Sequence, residues 1–366
     1  MKGKNSASYR PFYPLNRQKE VKKPYICRLA PFVDGFELEW FDNAQPGAHE
    51  LFYRKRGSAA AWSRAEVWEA VCRVEGLDSW CDYELYLQAQ DGERSNIRLV
   101  RTGEMPGTVV NYLHPQDSQY DFSGRYLCSP SLAKLNDGTL IASMDVYGPG
   151  MGQNLTLLFR SKDGGQTWRY LCDLYPFFWG TLFVHKDRLY MLGNSTEYGD
   201  LHIACSQDGG ENWSAPVTLF RGAHLSAASG GPHRAPMGIL PHKGRLWTGV
   251  EFGAWRLGGH LPTAVSVDEQ ADLMCAENWT MSEPAVYEGE WAASGPKGDT
   301  IEGNMVLGPN GELYDMLRYL PGRALLMRAD TEHPEQPLQF ERLAPFEMAH
   351  SKFFIVRHED GTYYDM

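Results

Sequence analysis

The chain has 366 residues, a net charge of −11, 11 tryptophans, 37 glycines and 13% aromatic side chains. That length exceeds the usual single domain and predicts two, while the acidic balance excludes the basic footprint with which nucleic-acid binders hold phosphates. No apolar run reaches 18 residues, so no membrane partner is expected.

Met1 to Lys23 is basic and polar, without periodicity and without the apolar centre of a signal peptide. A flexible lead over 1–23 and a cytoplasmic location are the simplest expectations; a secreted protein with a processed N-terminus would read the same way. Cys27, Cys72, Cys81, Cys128, Cys172, Cys205 and Cys275 are odd in number and scattered, with neither C-x-x-C nor zinc spacing. Free thiols, no metal and no cofactor are therefore expected.

From Tyr25 onwards short strands alternate apolar and polar residues: Phe36 to Trp40, Glu50 to Lys55 and Tyr83 to Ala89. This patterning predicts a β-sandwich with Trp40 and Tyr53 in its core. Leu77, followed six positions later by Tyr83, resembles the tyrosine corner of a fibronectin type III domain. Residues 24–104 resemble that module, and spacing or docking is its expected role.

Pro106-Gly107 marks a boundary, and residues 105–366 repeat one theme of strand, tight turn, strand, loop, strand, turn, strand. Inner turns fall at Asn136-Asp137-Gly138, Lys186-Asp187, Lys243-Gly244, Asn310-Gly311 and Asp360-Gly361, each between apolar runs. A second turn carries a motif. Ser161-Lys162-Asp163-Gly164-Gly165-Gln166-Thr167-Trp168 returns as Ser206-Gln207-Asp208-Gly209-Gly210-Glu211-Asn212-Trp213. Ser and Asp side chains suit capping of turn amides, paired glycines accept positive φ, and the Trp folds back over the hairpin. A frayed third copy is visible in Ser266-Val267-Asp268 with Asn278-Trp279 displaced, and the fourth repeat has lost the motif.

These turns resemble the Asp box of sialidase-superfamily β-propellers, with Ser161, Asp163, Gly165, Trp168, Ser206, Asp208, Gly210 and Trp213 as the structural positions. The resemblance implies an all-β chain with a six-bladed sialidase-like propeller after the sandwich. About four and a half blades are present, so the propeller is expected to be incomplete at its C-terminus.

Propeller geometry puts both kinds of turn on one face, so first-strand starts and second-strand ends open on the other, around the axis. The starts supply Trp179, His233, Arg234, Glu302, Asn304, His350 and Lys352; the ends supply Asp145, Glu251 and Arg318. Glu302 to Arg318 looks like the sialidase hairpin in which a catalytic Glu opens one strand and an Arg ends the next. The resemblance implies that Glu302 assists a tyrosine nucleophile and that Arg318 clamps a substrate carboxylate. A fork-shaped guanidinium binds a carboxylate bidentately, and a neutral Tyr can attack an anomeric centre whose own carboxylate repels Asp or Glu.

The chain also departs from that pattern. Cys128 stands where the family has its first triad arginine, and the resembling His233-Arg234-Ala235-Pro236 falls on blade three. Asp145 is the nearest candidate for the acid, and the nucleophile is expected beyond Met366. The candidates are thus Glu302, Asp145 and His233 for catalysis, and Arg318, Arg234, Lys352, His350, Asn304, Trp179 and Glu251 for substrate. The expected activity is an exo-acting glycoside hydrolase removing a terminal acidic sugar, sialic or uronic, with carbohydrate as partner. Alternatives are a carbohydrate-binding propeller without catalysis, or a polysaccharide lyase using His233 or His350 as base.

Overall fold

A computed structural model describes residues 23–45, 47–223, 230–285, 287–294, 300–358 and 360–365. Nearly all of the lead expected over 1–23 lies outside the described residues, as does Met366. The fold is all-β, with one short α-helix, α1 (Gly289–Ser294), among the described residues. By packing, the chain divides into two compact units. One comprises residues 1–175, 184–189 and 206–214; the other comprises 176–183, 190–205 and 215–366.

The first unit begins with β1 (Tyr25–Phe32), β2 (Gly35–Phe41), β3 (His49–Lys55), β4 (Ser63–Val67), β5 (Val71–Val74), β6 (Asp82–Gln88) and β7 (Arg98–Arg101). These form two antiparallel sheets, ordered β1-β2-β5 and β4-β3-β6-β7. Strand alternation turns Phe36, Leu38 and Trp40 of one sheet towards Leu51, Leu85 and Leu87 of the other, where they share an apolar core. Tyr53 lies at its margin, edge-on to Phe36. At one corner the Tyr83 hydroxyl accepts a hydrogen bond from Asp78 N at 2.9 Å, just after Leu77.

Strand order changes after β7. Strands β8 (Tyr126–Lys134), β9 (Leu140–Tyr147), β10 (Thr156–Ser161) and β11 (Arg169–Leu174) form a simple four-stranded meander, the build of a propeller blade. This meander and the sandwich share a core. Cys27 of β1 is buried with Met144, Leu157, Phe159 and Tyr170, and Tyr25 and Phe41 pack against the same cluster. Polar contacts follow: Glu39 accepts from Tyr170 N at 2.8 Å, and Glu37 pairs with both Arg28 (2.7 Å) and Arg169 (3.2 Å).

Three further meanders succeed it. Strands β12 (Phe178–His185), β13 (Arg188–Asn194), β14 (Leu201–Ser206) and β15 (Val217–Phe220) make one. The next contains β16 (Gly231–His233), β17 (Leu240–His242), β18 (Arg245–Ala254), β19 (Gly259–Asp268) and β20 (Trp279–Met281). In it β16 and β17 both pair with β18, so the first strand is one strand interrupted by residues 234–239. The last full meander is β21 (Ile301–Leu307), β22 (Leu313–Leu320), β23 (Arg323–Arg328) and β24 (Gln339–Pro345), followed by a hairpin of β25 (Ile355–Arg357) and β26 (Tyr363–Asp365). Within the second unit neighbouring meanders share apolar layers. Leu192, Leu201 and Ile203 meet Leu246, Val250 and Val265, while Trp247 and Ala264 meet Met305, Leu313 and Leu317.

The motif turns close on themselves. Ser161 Oγ accepts from Gly165 N (2.8 Å), Asp163 accepts from Thr167 N (2.9 Å), and Trp168 Nε1 donates to Gly165 O (3.1 Å). Ser206, Asp208, Gly210, Asn212 and Trp213 repeat each contact within 0.1 Å. In the frayed third turn Trp279 keeps its place by donating to Leu273 O at 2.8 Å. No helix among the described residues is long and apolar enough to cross a membrane.

Candidate functional site

A feature invisible in the sequence recurs where first strands open. Between β21 and β22 the register runs Ile301↔Arg318 and then Asn304↔Met316, so Glu302-Gly303 bulges out, with Glu302 left-handed at φ +62°. Between β8 and β9 it runs Cys128↔Asp145 and then Ser131↔Ser143, with Ser129 at +49°; Trp179, near the start of β12, stands at +54°. Each such L-residue costs on the order of 1–2 kcal/mol and persists only when its surroundings hold it.

In the second unit this geometry brings Glu302 and Arg318 together. The hairpin register places them at one end of the sheet, Arg318 Nη1 lying 3.3 Å from Glu302 Oε2, with the side chains 30% and 17% exposed. Burial pushes the Glu302 carboxyl above its ordinary range, and the charge of Glu251 adds to this; Arg318 and Lys352 pull the other way. A partly screened acid beside a half-buried guanidinium can handle a proton while the guanidinium holds an anion.

Behind this pair, β16 and β18 align His233 with Glu251. The Glu251 side chain is wholly buried; Oε2 meets His233 Nδ1 at 3.0 Å and Oε1 accepts from Gly303 N at 2.9 Å. Burial drives the two groups apart in acidity, raising the Glu251 carboxyl and lowering His233, which the charge of Arg318 lowers further. The His233 ring also lies 4.5 Å from Trp179, 4.4 Å from His260 and 6.0 Å from Tyr198, and Trp255 lies 4.6 Å from His260. Asp315 is buried against the same strands, and its carboxyl is raised well above the usual range by burial and by Glu251.

Other candidates have different employment. Arg234 was expected to face substrate, yet its guanidinium is buried and donates to Trp179 O (3.1 Å), Leu192 O (2.6 Å) and Thr248 Oγ1 (3.3 Å). It fastens the interrupted first strand, as does Thr181 Oγ1 through Met237 O at 2.9 Å. Asn304 was also expected at the substrate. Its amide instead bridges Glu302 O and Phe353 O (both 3.3 Å) and accepts from Ile355 N (3.1 Å), stapling β21 to the following segment. Glu251 is enclosed rather than presented to a ligand. His350 sits exposed on a 3-10 turn, with Nδ1 on Glu347 O at 2.7 Å. Asp145 belongs to the first unit, where it is buried and accepts from Thr156 Oγ1.

Sequence reasoning missed His260, Tyr198, Trp255 and Asp315. Only Asp315 left a signal, a carboxylate within the apolar run Leu313 to Leu317.

No protein-family profile matches the chain, and no curated protein matches it. Solved structures similar to it include the Hadza microbial sialidase Hz136, at 13% identity over 97% of this chain and 81% of that one, TM-score 0.45. A leech intramolecular trans-sialidase complexed with 2,7-anhydro-Neu5Ac is 11% identical over 95% and 82%, TM-score 0.48. The GH93 α-L-arabinofuranosidase of Fusarium graminearum with arabinobiose is 13% identical over 96% and 88%, TM-score 0.44.

Proposed function

We propose that the chain is an exo-acting glycoside hydrolase of sialidase type, removing a terminal acidic sugar, a sialic or uronic acid, from an oligosaccharide or glycoconjugate. In this reading residues 24–104 are a fibronectin type III-like domain, residues 105–366 belong to a six-bladed propeller, and the Ser-Asp-Gly-Trp turns are its Asp boxes. The observation that carries it is the Glu302–Arg318 pair, 3.3 Å apart at the open end of one hairpin. Arg318 receives the carboxylate of the sugar through its planar fork, and the positive charge of Lys352 near Glu302 reinforces the preference for an anion. Glu302 supplies the proton-handling carboxyl. Burial keeps it protonated to a higher pH than a solvated Glu, which suits a group that exchanges a proton with a nucleophile or leaving oxygen. Trp179, ring-packed on His233, offers an aromatic wall for the sugar.

A second reading, carbohydrate binding without turnover, draws on Arg234 and Asn304, whose side chains are committed to backbone. Turnover of fluorogenic sialosides and glucuronides by the full chain separates the two. Glu302→Gln is expected to lower kcat on the order of 10²-fold with KM little changed, and Arg318→Lys to raise KM although charge is kept. Wild-type kcat in Glu302→Gln would remove the catalytic assignment. Sugar binding by calorimetry without turnover would favour the binding protein.

A further inference from the structure

Glu251 occupies a position that neither ligand contact nor simple packing accounts for. A buried carboxylate is costly unless each oxygen is engaged, and here the two oxygens face different strands. Oε1 accepts from Gly303 N, and Oε2 meets Nδ1 of His233. The peptide so held is the one that follows Glu302, inside the bulge where Glu302 is left-handed. Gly303 is closely packed as well, since a Cβ there would lie 2.3 Å from Asp315 Oδ1. The peptide that follows a left-handed L-residue is thus held by Glu251 and packed closely against Asp315.

The groups surrounding the Glu251 carboxyl decide how it can act. His233 faces it from β16, Arg234 from the segment after β16, His260 from β19, the Glu302–Gly303 backbone from β21, and Asp315 from β22. Because Gly303 N–H takes Oε1, only Oε2 is left for the imidazole. An ionised carboxylate only accepts, so in that state Nδ1 must carry the proton and Nε2 must be bare.

We propose that Glu251 is a positioning residue: it holds the Glu302–Gly303 peptide so that the Glu302 carboxyl stands against Arg318, and it keeps the His233 proton on Nδ1. This rests on the reading of Glu302 as the working carboxyl. It replaces direct contact between Glu251 and substrate.

Glu251→Gln tests it, because the amide keeps the shape and reverses one bond. Its oxygen must serve Gly303 N–H, which turns the NH₂ group towards Nδ1 and forces the imidazole proton onto Nε2. Nitrogen NMR of histidine-labelled full-length chain at pH 8, together with steady-state kinetics on the fluorogenic glycosides, reads both halves. Nδ1–H in the wild type and Nε2–H in Glu251→Gln are expected. Glu251→Leu, which loses the bond to Gly303 N–H as well, should lower kcat on the order of 10²-fold with KM held within about threefold. Wild-type kcat in Glu251→Leu overturns the positioning role and leaves the proposed function standing. A wild-type chain that neither binds nor turns over a glycoside overturns the proposed function, and the tautomers still judge this inference: an unchanged His233 proton in Glu251→Gln refutes it. If Glu251→Gln does not fold, the wild-type spectrum decides, and a proton on Nε2 at pH 8 refutes it.

Discussion

Asp173, on β11 in the core shared by the sandwich and the first meander, makes a quantitative test of that junction. Its carboxyl is buried and accepts from Tyr170 Oη at 2.9 Å, and burial pushes it up from 3.8 to about 7. The folded state therefore holds a proton that the unfolded chain releases near pH 4. Stability from this group is present below pH 4, declines as pH rises towards 7, and is absent above it. A rise of about three units corresponds to at most about 4 kcal/mol. Asp173→Asn removes the titration but keeps an oxygen for Tyr170. Urea unfolding followed by tryptophan fluorescence should show the variant more stable than the wild type at pH 8, by up to about 4 kcal/mol, and within about 1 kcal/mol of it at pH 4. Equal displacement of the two curves at both pH values would refute the argument, because a packing effect does not depend on pH.

Trp168→Ala should cost about 3–5 kcal/mol, because a buried indole and its bond to Gly165 O are lost together; ligand affinity of the surviving fold should be unchanged, as calorimetry would show. Asn304→Ala removes the staple to Phe353 and Ile355, so limited proteolysis should cut the 353–365 hairpin at lower protease concentration than in the wild type. Removing residues 1–104 should yield an aggregating remainder, since Tyr170, Met144 and Leu157 lose the cover of Tyr25, Cys27 and Phe41. A soluble remainder with native circular dichroism would contradict the shared core.

What the sequence discloses here depends on how local the physics is. The motif turns are legible because Ser161, Asp163, Gly165 and Trp168 satisfy one another within eight residues. The meeting of Glu302 and Arg318 is legible too, since hairpin register follows from strand length and turn position. Arg234 and Asn304 mislead because both sit at the expected place, but their side chains answer carbonyls contributed by other strands. Glu251 is the same case in reverse: its position at a strand end is readable, whereas its burial depends on His233 and on Gly303, remote in the chain. The left-handed residues carry no local signal at all. Ser129, Trp179 and Glu302 share no side-chain chemistry, only a register irregularity or a strand start.

The bond from Tyr170 N to Glu39 bears on how the chain survives its own synthesis. β11 is the outer strand of its meander, and an outer strand presents amides to which any passing strand can add. Because the ribosome delivers the N-terminal end first, the sandwich is complete before β11 emerges. Glu39 then meets a newly made edge with an acceptor already in place, and Glu37 adds a salt link through Arg169. The sandwich thus occupies one amide of an edge to which a neighbouring nascent chain could otherwise add.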